Sequence, residues 1–130
     1  MSDKEMLELA AKAAGLRVGF EPDGKHRGRH DLYWSIVHHQ LVWHGKSTGS
    51  EYPRPIFWNP IADDGDAMRL MVRLRLEPRF LDNSHSNGAE PSRVTLHNVA
   101  GIVENIDGDP LAATRRAIVR AAAEIGRNMK

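Results

Sequence analysis

Cysteine is absent from this sequence. The chain therefore cannot form a disulfide bond, and it offers neither a thiolate metal ligand nor a cysteine nucleophile. A chain of this kind suits a reducing compartment, so we expect a cytoplasmic location. No covalent cross-link contributes to the stability of the fold.

Long apolar runs and a strong excess of one charge are also missing. No apolar run approaches the roughly 20 residues that span a bilayer, and charged residues interrupt the first segment, so we expect neither a membrane anchor nor a secretory signal. The formal net charge is +1, which provides no global field to attract nucleic acid or an anionic membrane. We therefore expect partners other than nucleic acids and membranes.

The remaining composition is that of an ordinary globular protein. Of the 130 residues, 41% are apolar and 27% are charged, so the chain can bury a core. The sequence contains no repeat and no sign of a second domain. It predicts a single domain over residues 1–130.

The first and third predicted helices begin at clear capping residues. Ser2 and Glu5 form a capping box before a helix over residues 3–14. Asp109 is expected to cap the third helix, with Pro110 at its first position, where the missing N–H is tolerated. Both segments carry apolar residues at helical spacing.

A second helix lies in the middle of the chain. Asp63 or Asp64 is expected to cap it, and it ends before Pro78. Its predicted apolar face consists of Met68, Leu70, Met71, Val72 and Leu74.

Short β-branched and aromatic segments predict strands. They lie at 32–37, 41–43, 56–58, 79–81, 93–97 and 102–106, and residues 44–55 and 82–92 are predicted loops. Strands joined by short turns pair antiparallel, and three amphipathic helices are available to cover the apolar side of a sheet. The sequence therefore predicts an α+β fold, in which three helices cover a small, mostly antiparallel sheet in a layered sandwich.

Three segments of the chain carry a resemblance to known proteins. They are residues 9–15 (Leu-Ala-Ala-Lys-Ala-Ala-Gly), 58–70 (beginning Trp-Asn-Pro-Ile-Ala-Asp-Asp-Gly-Asp) and 114–126. Together they resemble a family of small phage and prophage proteins whose fold is described as a phage α-β-α sandwich domain. The resemblance implies a location in the cytoplasm of a bacterial host, and it implies no activity. Residues 20–57 and 78–106 depart from the family pattern, so we expect any specialised role there.

No recognised catalytic motif is complete in this sequence. Gly45-Lys46-Ser47 matches the end of a phosphate-binding P-loop, but Gln40 stands where that motif requires a glycine. The acidic run 63–66 lacks the alternating ligands of a calcium loop and is interpreted as a helix cap. The nucleophile motif Gly-x-Ser-x-Gly is absent. We expect no catalytic residue and no cofactor, and we favour a binding protein over an enzyme.

Histidines and arginines each form a group that needs an interpretation. The chain has seven histidines, of which His38, His39 and His44 are close in sequence. Zinc needs three or four convergent ligands, and only His38 and His44 would share a strand face, so we expect surface histidines and no metal. The third helix carries Arg115, Arg116, Arg120 and Arg127. We interpret them as a solvated helix surface rather than a phosphate-binding face.

The candidate binding surface lies within residues 20–57. It combines basic, imidazole and aromatic side chains that could contact a partner or a ligand. The candidates are Arg27, Arg29, His38, Trp43, His44, Lys46 and Tyr52.

Three hypotheses follow for the function. The first is a non-enzymatic phage or prophage accessory protein that binds a host or defence-system protein. The second is a small-molecule binding protein, in which tryptophans stack on a nucleotide-like ligand and basic residues contact its phosphates. The third is a metal-dependent enzyme that uses the histidine cluster. A homodimer is compatible with each of them, because an open sheet has edges to protect.

Overall fold

The computed structural model describes residues 1–19, 30–49, 54–81 and 92–129. Within these ranges the chain forms three helices and two mostly antiparallel sheets, which confirms the α+β class. The first elements are α1 (Asp3–Ala13), β1 (Val18–Gly19), β2 (Leu32–Ser35), β3 (Gln40–Ser47) and β4 (Pro55–Trp58). They are followed by α2 (Asp64–Leu74), β5 (Pro78–Leu81), β6 (Arg93–Leu96), β7 (Val103–Asn105) and α3 (Pro110–Arg127).

The described strands divide between two sheets. The first sheet has the order β1-β2-β3-β4, in which β1 is parallel to β2 and the other neighbours are antiparallel. The second sheet has the order β5-β6-β7 and is antiparallel throughout. The sequence predicts one small sheet, whereas two form, because each set of strands pairs within itself and α2 separates the two sets along the chain.

The helix starts agree with the predictions. The Ser2 hydroxyl accepts a hydrogen bond from the Glu5 backbone at 3.1 Å, so Ser2 caps α1. Asp63 caps α2 by accepting from the backbone of Asp66 at 2.8 Å. Asp109 caps α3 in the same way. These caps confirm the helical interpretation of the acidic run 63–66.

Helices α1 and α3 pack closely through small residues. Alanines of both helices are buried where the helices meet: Ala10, Ala11, Ala14, Ala117, Ala121 and Ala122. A Cβ atom at Gly126 would overlap the Leu9 carbonyl oxygen of α1, so only glycine permits this approach of the two backbones. The close helix pair explains why the predicted helical segments at the two ends of the chain are rich in alanine.

One hydrophobic core contains residues from all three helices and both sheets. Leu32, Leu41 and Trp58 come from the four-stranded sheet, and Val94 and Leu96 come from the three-stranded one. Helix α3 contacts the three-stranded sheet and both other helices, and α1 contacts β1. No helix in the described ranges is long and apolar enough to cross a membrane.

The orientation of α2 differs from the prediction. Ala67 and Leu70 are buried, whereas Met68 and Val72 are 61% and 65% exposed. Because each helical residue advances by about 100°, the stripe through Met68 and Val72 lies to one side of the buried stripe. The buried stripe is the one that contains the small Ala67, and α2 also packs against α3.

Strand β3 extends into a predicted loop. Residues 44–55 are predicted as a loop because of their glycines and prolines, yet residues 44–47 belong to β3. The pairing register of β3 and β4 shifts between Val42 and Ser47, and Gly45 has a φ of +74°, which glycine adopts without strain. The irregularity thus accommodates the glycine within the strand.

A side chain fixes the start of the first sheet. The Arg17 backbone donates a hydrogen bond to the Asp31 carboxylate at 2.8 Å, and this bond holds the pKa of Asp31 below its ordinary range. The backbones of Asp31 and Leu32 donate in return to the Arg17 carbonyl. Arg17 and Asp31 therefore connect the entry of β1 to the entry of β2.

Candidate functional site

Four of the seven predicted binding residues fall within the described ranges: His38, Trp43, His44 and Lys46. Arg27, Arg29 and Tyr52 lie outside the described residues. The structure does not bring the four together into a single cluster. It separates the two histidines from the Trp43–Lys46 pair, as follows.

The two histidines pack against aromatic rings of neighbouring strands. The His44 ring meets the Tyr33 ring edge-on, with centroids 5.4 Å apart, and the His38 ring meets Phe57 at 5.3 Å. Within the described residues, no three His, Asp or Glu side chains are placed to hold a metal ion. These contacts are typical of surface packing on a sheet.

Trp43 and Lys46 form a cation–π pair. The ammonium nitrogen of Lys46 lies 4.3 Å from the centroid of a Trp43 ring. In a regular strand, side chains three residues apart point to opposite faces. The register shift around Gly45 changes this alternation, so Lys46 can reach the same side as Trp43. The sequence named both residues as binding candidates from their chemical types, whereas strand periodicity alone would place them on opposite faces.

A groove of about 640 Å³ opens beside Trp43. Its walls come from three elements of the fold, namely the four-stranded sheet, the end of α1 and the outer side of α2. It is lined by Ala14, Leu16, Trp43, Trp58, Met68, Arg69, Leu70, Val72 and Arg73. The volume falls in the range of small-molecule pockets, and the lining is mostly apolar and aromatic with two arginines.

The groove continues onto an exposed apolar surface. Met68 and Val72 are one helical turn apart on α2, and both line the groove while remaining mostly exposed. Exposed apolar side chains are common singly, and here two of them adjoin each other beside the groove. We call Trp43, Trp58, Met68 and Val72, with the space between them, the tryptophan groove.

Only basic charges border the tryptophan groove. Arg69 and Arg73 line it, and among the described residues no acidic side chain does. Arg69 donates to the Asp66 carboxylate at 2.8 Å. Arg73 donates through its Nε to the Ala14 carbonyl at the end of α1 and makes no ion pair within the described chain, so its Nη groups remain available to an anion.

Three arginines of α3 form hydrogen bonds and ion pairs with other segments of the chain. Arg120 donates to Glu104 at 2.8 Å, and Arg116 pairs with Asp3 at 3.3 Å. Arg115 is largely buried, and it donates to the Ile61 carbonyl and to Asp64. The prediction of a solvated helix surface is therefore wrong for Arg115, because this side chain connects α3 to the start of α2.

The sequence missed the α2 wall of the groove. Met68 and Val72 have the spacing of one helical stripe, but so do the residues that α2 buries, and periodicity does not tell which stripe is covered. The only available signal was the number of apolar residues on α2, which is too large for a single face of a helix with eleven residues.

Comparisons of this chain with protein-family models, with curated proteins and with solved structures found no match.

Proposed function

We propose that this protein is a binding protein that recognises a protein partner through the tryptophan groove. The observation that supports the proposal is the groove itself, an apolar space of about 640 Å³ between two tryptophans and exposed side chains of α2. A partner would gain most of its binding energy by burying an apolar anchor there, since fully desolvated aromatic pockets form the energetic centres of interfaces.

The partner that we propose is a protein of a bacterial host or of its defence system. This part of the proposal rests on the resemblance of residues 58–70 and 114–126 to the phage and prophage family. Residues 58–70 contain Trp58 and the first half of α2, so the resembling segment also supplies part of the groove. We propose an accessory role in the bacterial cytoplasm.

The test is a quantitative capture experiment with matched variants. The wild-type protein and Met68→Ser/Val72→Ser are expressed in a bacterial host, cross-linked and analysed by mass spectrometry. We expect one protein to be enriched with the wild type and lost with the double variant. Leu111→Ser, which also removes an exposed apolar side chain from a helix, should retain the partner. A partner retained equally by the groove variant would place the interaction elsewhere and refute the proposal.

The Trp43–Lys46 pair favours a second candidate function, the binding of a nucleotide-like ligand. The lysine lies against one ring face, and a base could stack on a tryptophan while Lys46 contacts a phosphate. Thermal shifts with ATP and with adenosine measure this candidate. A shift with ATP that Lys46→Ala abolishes supports it, and no shift with either compound speaks against it. The metal-enzyme hypothesis stays a prediction, because His26, a further histidine near this cluster in sequence, lies outside the described residues.

A further inference from the structure

The α2 wall of the groove has the shape of a helix-binding surface. Met68 and Val72 are four residues apart, so they form a ridge of one-turn spacing along α2. Such a ridge fits into the groove between side chains of a second helix, whose own apolar residues recur with the same spacing. Both side chains are already exposed, so a docking helix would not have to displace a packed neighbour.

The sheet wall of the groove disfavours an extended segment. Trp43 lies on β3, which pairs with β2 on one side and with β4 on the other. At Trp43 the groove therefore lies over the face of the sheet, and the edge strand β4 contributes only its last residue, Trp58, to the lining. An extended peptide would bury unpaired N–H and C=O groups there, whereas a helix satisfies its backbone hydrogen bonds internally.

The charges at the groove select an acidic occupant. Within the described residues, Arg73 carries Nη groups without an anionic partner, and Lys46 has no ion pair and lies against Trp43. No described acidic side chain lines the groove, but Asp63 and Asp66 pair with Arg69 beside it. Arg73 is therefore the arginine that a carboxylate would approach. An arginine binds a carboxylate with two parallel hydrogen bonds, which adds geometric selectivity to the attraction.

We propose that the tryptophan groove binds an acidic amphipathic helix of a protein partner, with apolar side chains between Trp43 and the Met68–Val72 ridge and carboxylates at Arg73 and Lys46. The inference rests on the proposed function, and it specifies the partner segment by its secondary structure and charge.

The first test compares three synthetic peptides of about 18 residues, a length at which an isolated helix begins to be stable. The first peptide places leucines at i, i+3, i+4 and i+7 and glutamates on the flanking positions. The second replaces every glutamate by lysine, and the third carries a central proline that breaks the helix. Fluorescence anisotropy of the labelled peptides measures their affinity for the full chain.

We expect the acidic peptide to bind at least about tenfold more tightly than the lysine peptide, and the preference to shrink as salt rises from about 0.05 to about 0.5 M. The proline peptide should lose binding. Met68→Ser/Val72→Ser should abolish binding of the acidic peptide, while Leu111→Ser should bind it as the wild type does.

Charge variants distinguish the electrostatic contribution to peptide binding from the contribution of apolar contacts. Arg73→Gln keeps a donor for the Ala14 carbonyl but removes the charge, and Lys46→Glu reverses an exposed charge that holds no other element. Each variant should lower the affinity for the acidic peptide several-fold. It should also reduce the ratio between the affinities for the acidic and the lysine peptide. Arg127→Gln changes an exposed arginine on α3 and should alter neither affinity. Circular dichroism of each variant checks that the fold is intact.

The outcomes distinguish this inference from the proposed function. If the acidic and lysine peptides bind equally and both lose binding in the groove variant, the groove remains a docking site. The inference that its occupant is acidic would then be overturned. Binding of the proline peptide as tight as that of its parent would overturn the helical form. Binding of no peptide up to about 1 mM would also overturn the inference, while the capture experiment still decides the proposed function. A dimer that dissociates in the groove variant would identify a second copy of this chain as the occupant and refute an acidic partner helix.

Discussion

Gly126 shows how a single residue sets the distance between two helices. A side chain at this position would overlap the Leu9 carbonyl oxygen, which belongs to the backbone of α1 and cannot rotate away. The neighbouring Ala122 and Ala123 of α3 are buried as well. The packing of α1 on α3 therefore depends on the absence of one methyl group.

Replacing Gly126 by alanine should destabilise the protein. We expect a loss of about 2 kcal/mol in the free energy of unfolding, because overpacking outweighs the gain in helix propensity. Urea denaturation measures the change. Gly65→Ala in the first turn of α2 is the matched control, since the atoms nearest to a Cβ atom there belong to the side chains of Arg69 and Asp63, at 3.2 Å, and not to the backbone. An equal or greater stability of Gly126→Ala than of Gly65→Ala would contradict the close-packing argument.

Among the elements, α2 is connected to other segments at both ends through arginine side chains. Arg115 of α3, whose side chain is only 18% exposed, donates to the Ile61 carbonyl at 2.7 Å and to Asp64 at 2.6 Å at the start of α2. Arg73, near the other end of α2, donates to the Ala14 carbonyl of α1. The α2 wall of the tryptophan groove is thus fixed relative to both α3 and α1.

Loss of the Arg115 connection should weaken the whole fold. We expect Arg115→Ala to lower the free energy of unfolding by about 1–3 kcal/mol, because the partly buried Ile61 carbonyl loses its donor and α3 loses a contact with α2. Thermal and urea denaturation measure this. Arg127→Ala removes an exposed arginine from the same helix and should change stability by less than about 0.5 kcal/mol. Similar losses for both variants would show that the connection is not specific.

The link between β1 and β2 should make stability depend on pH. The pKa of Asp31 is lowered in the folded state by the hydrogen bond from the Arg17 backbone, so the unfolded chain takes up a proton at a higher pH than the folded chain does. The stabilisation by Asp31 is complete above its ordinary pKa of about 3.9 and is lost as the pH falls through the lowered value.

The measurement compares urea midpoints of the wild type and Asp31→Asn between about pH 2 and pH 6, a range that contains the ordinary pKa of aspartate. We expect the wild type to be more stable at the upper end and the difference to disappear at the lower end. A difference that stays constant over the whole range would assign the effect to packing rather than to ionisation.

At the scale of the whole molecule, the sequence predicted those features that depend on residues close together in the chain. Ser2, Asp63 and Asp109 act within three residues of their hydrogen-bond partners, so the sequence alone located the helices. The division into two sheets depends on contacts between distant segments, which the sequence does not show. Strand β1 consists of only two residues, and no local sequence pattern indicates that they pair with β2.

The candidate site was predictable only in part for the same reason. Trp43 and Lys46 were predicted as binding residues from their chemical types, and in the structure they form a cation–π pair. Their role in binding stays a prediction. Met68 and Val72 were assigned to the core, because helical periodicity identifies apolar stripes without telling which stripe the rest of the chain covers. The α2 side of the groove therefore emerges only from the tertiary arrangement.

The distribution of the tryptophans has a spectroscopic consequence. The chain contains three tryptophans, of which Trp43 and Trp58 line the groove and Trp34 lies beside Lys4 of α1. An occupant that excludes water from the groove would change the polarity around Trp43, which is partly exposed, whereas Trp58 is only 5% exposed and is already shielded from water. The emission spectrum of the unlabelled protein thus carries a built-in signal of groove occupancy, which comes mainly from Trp43.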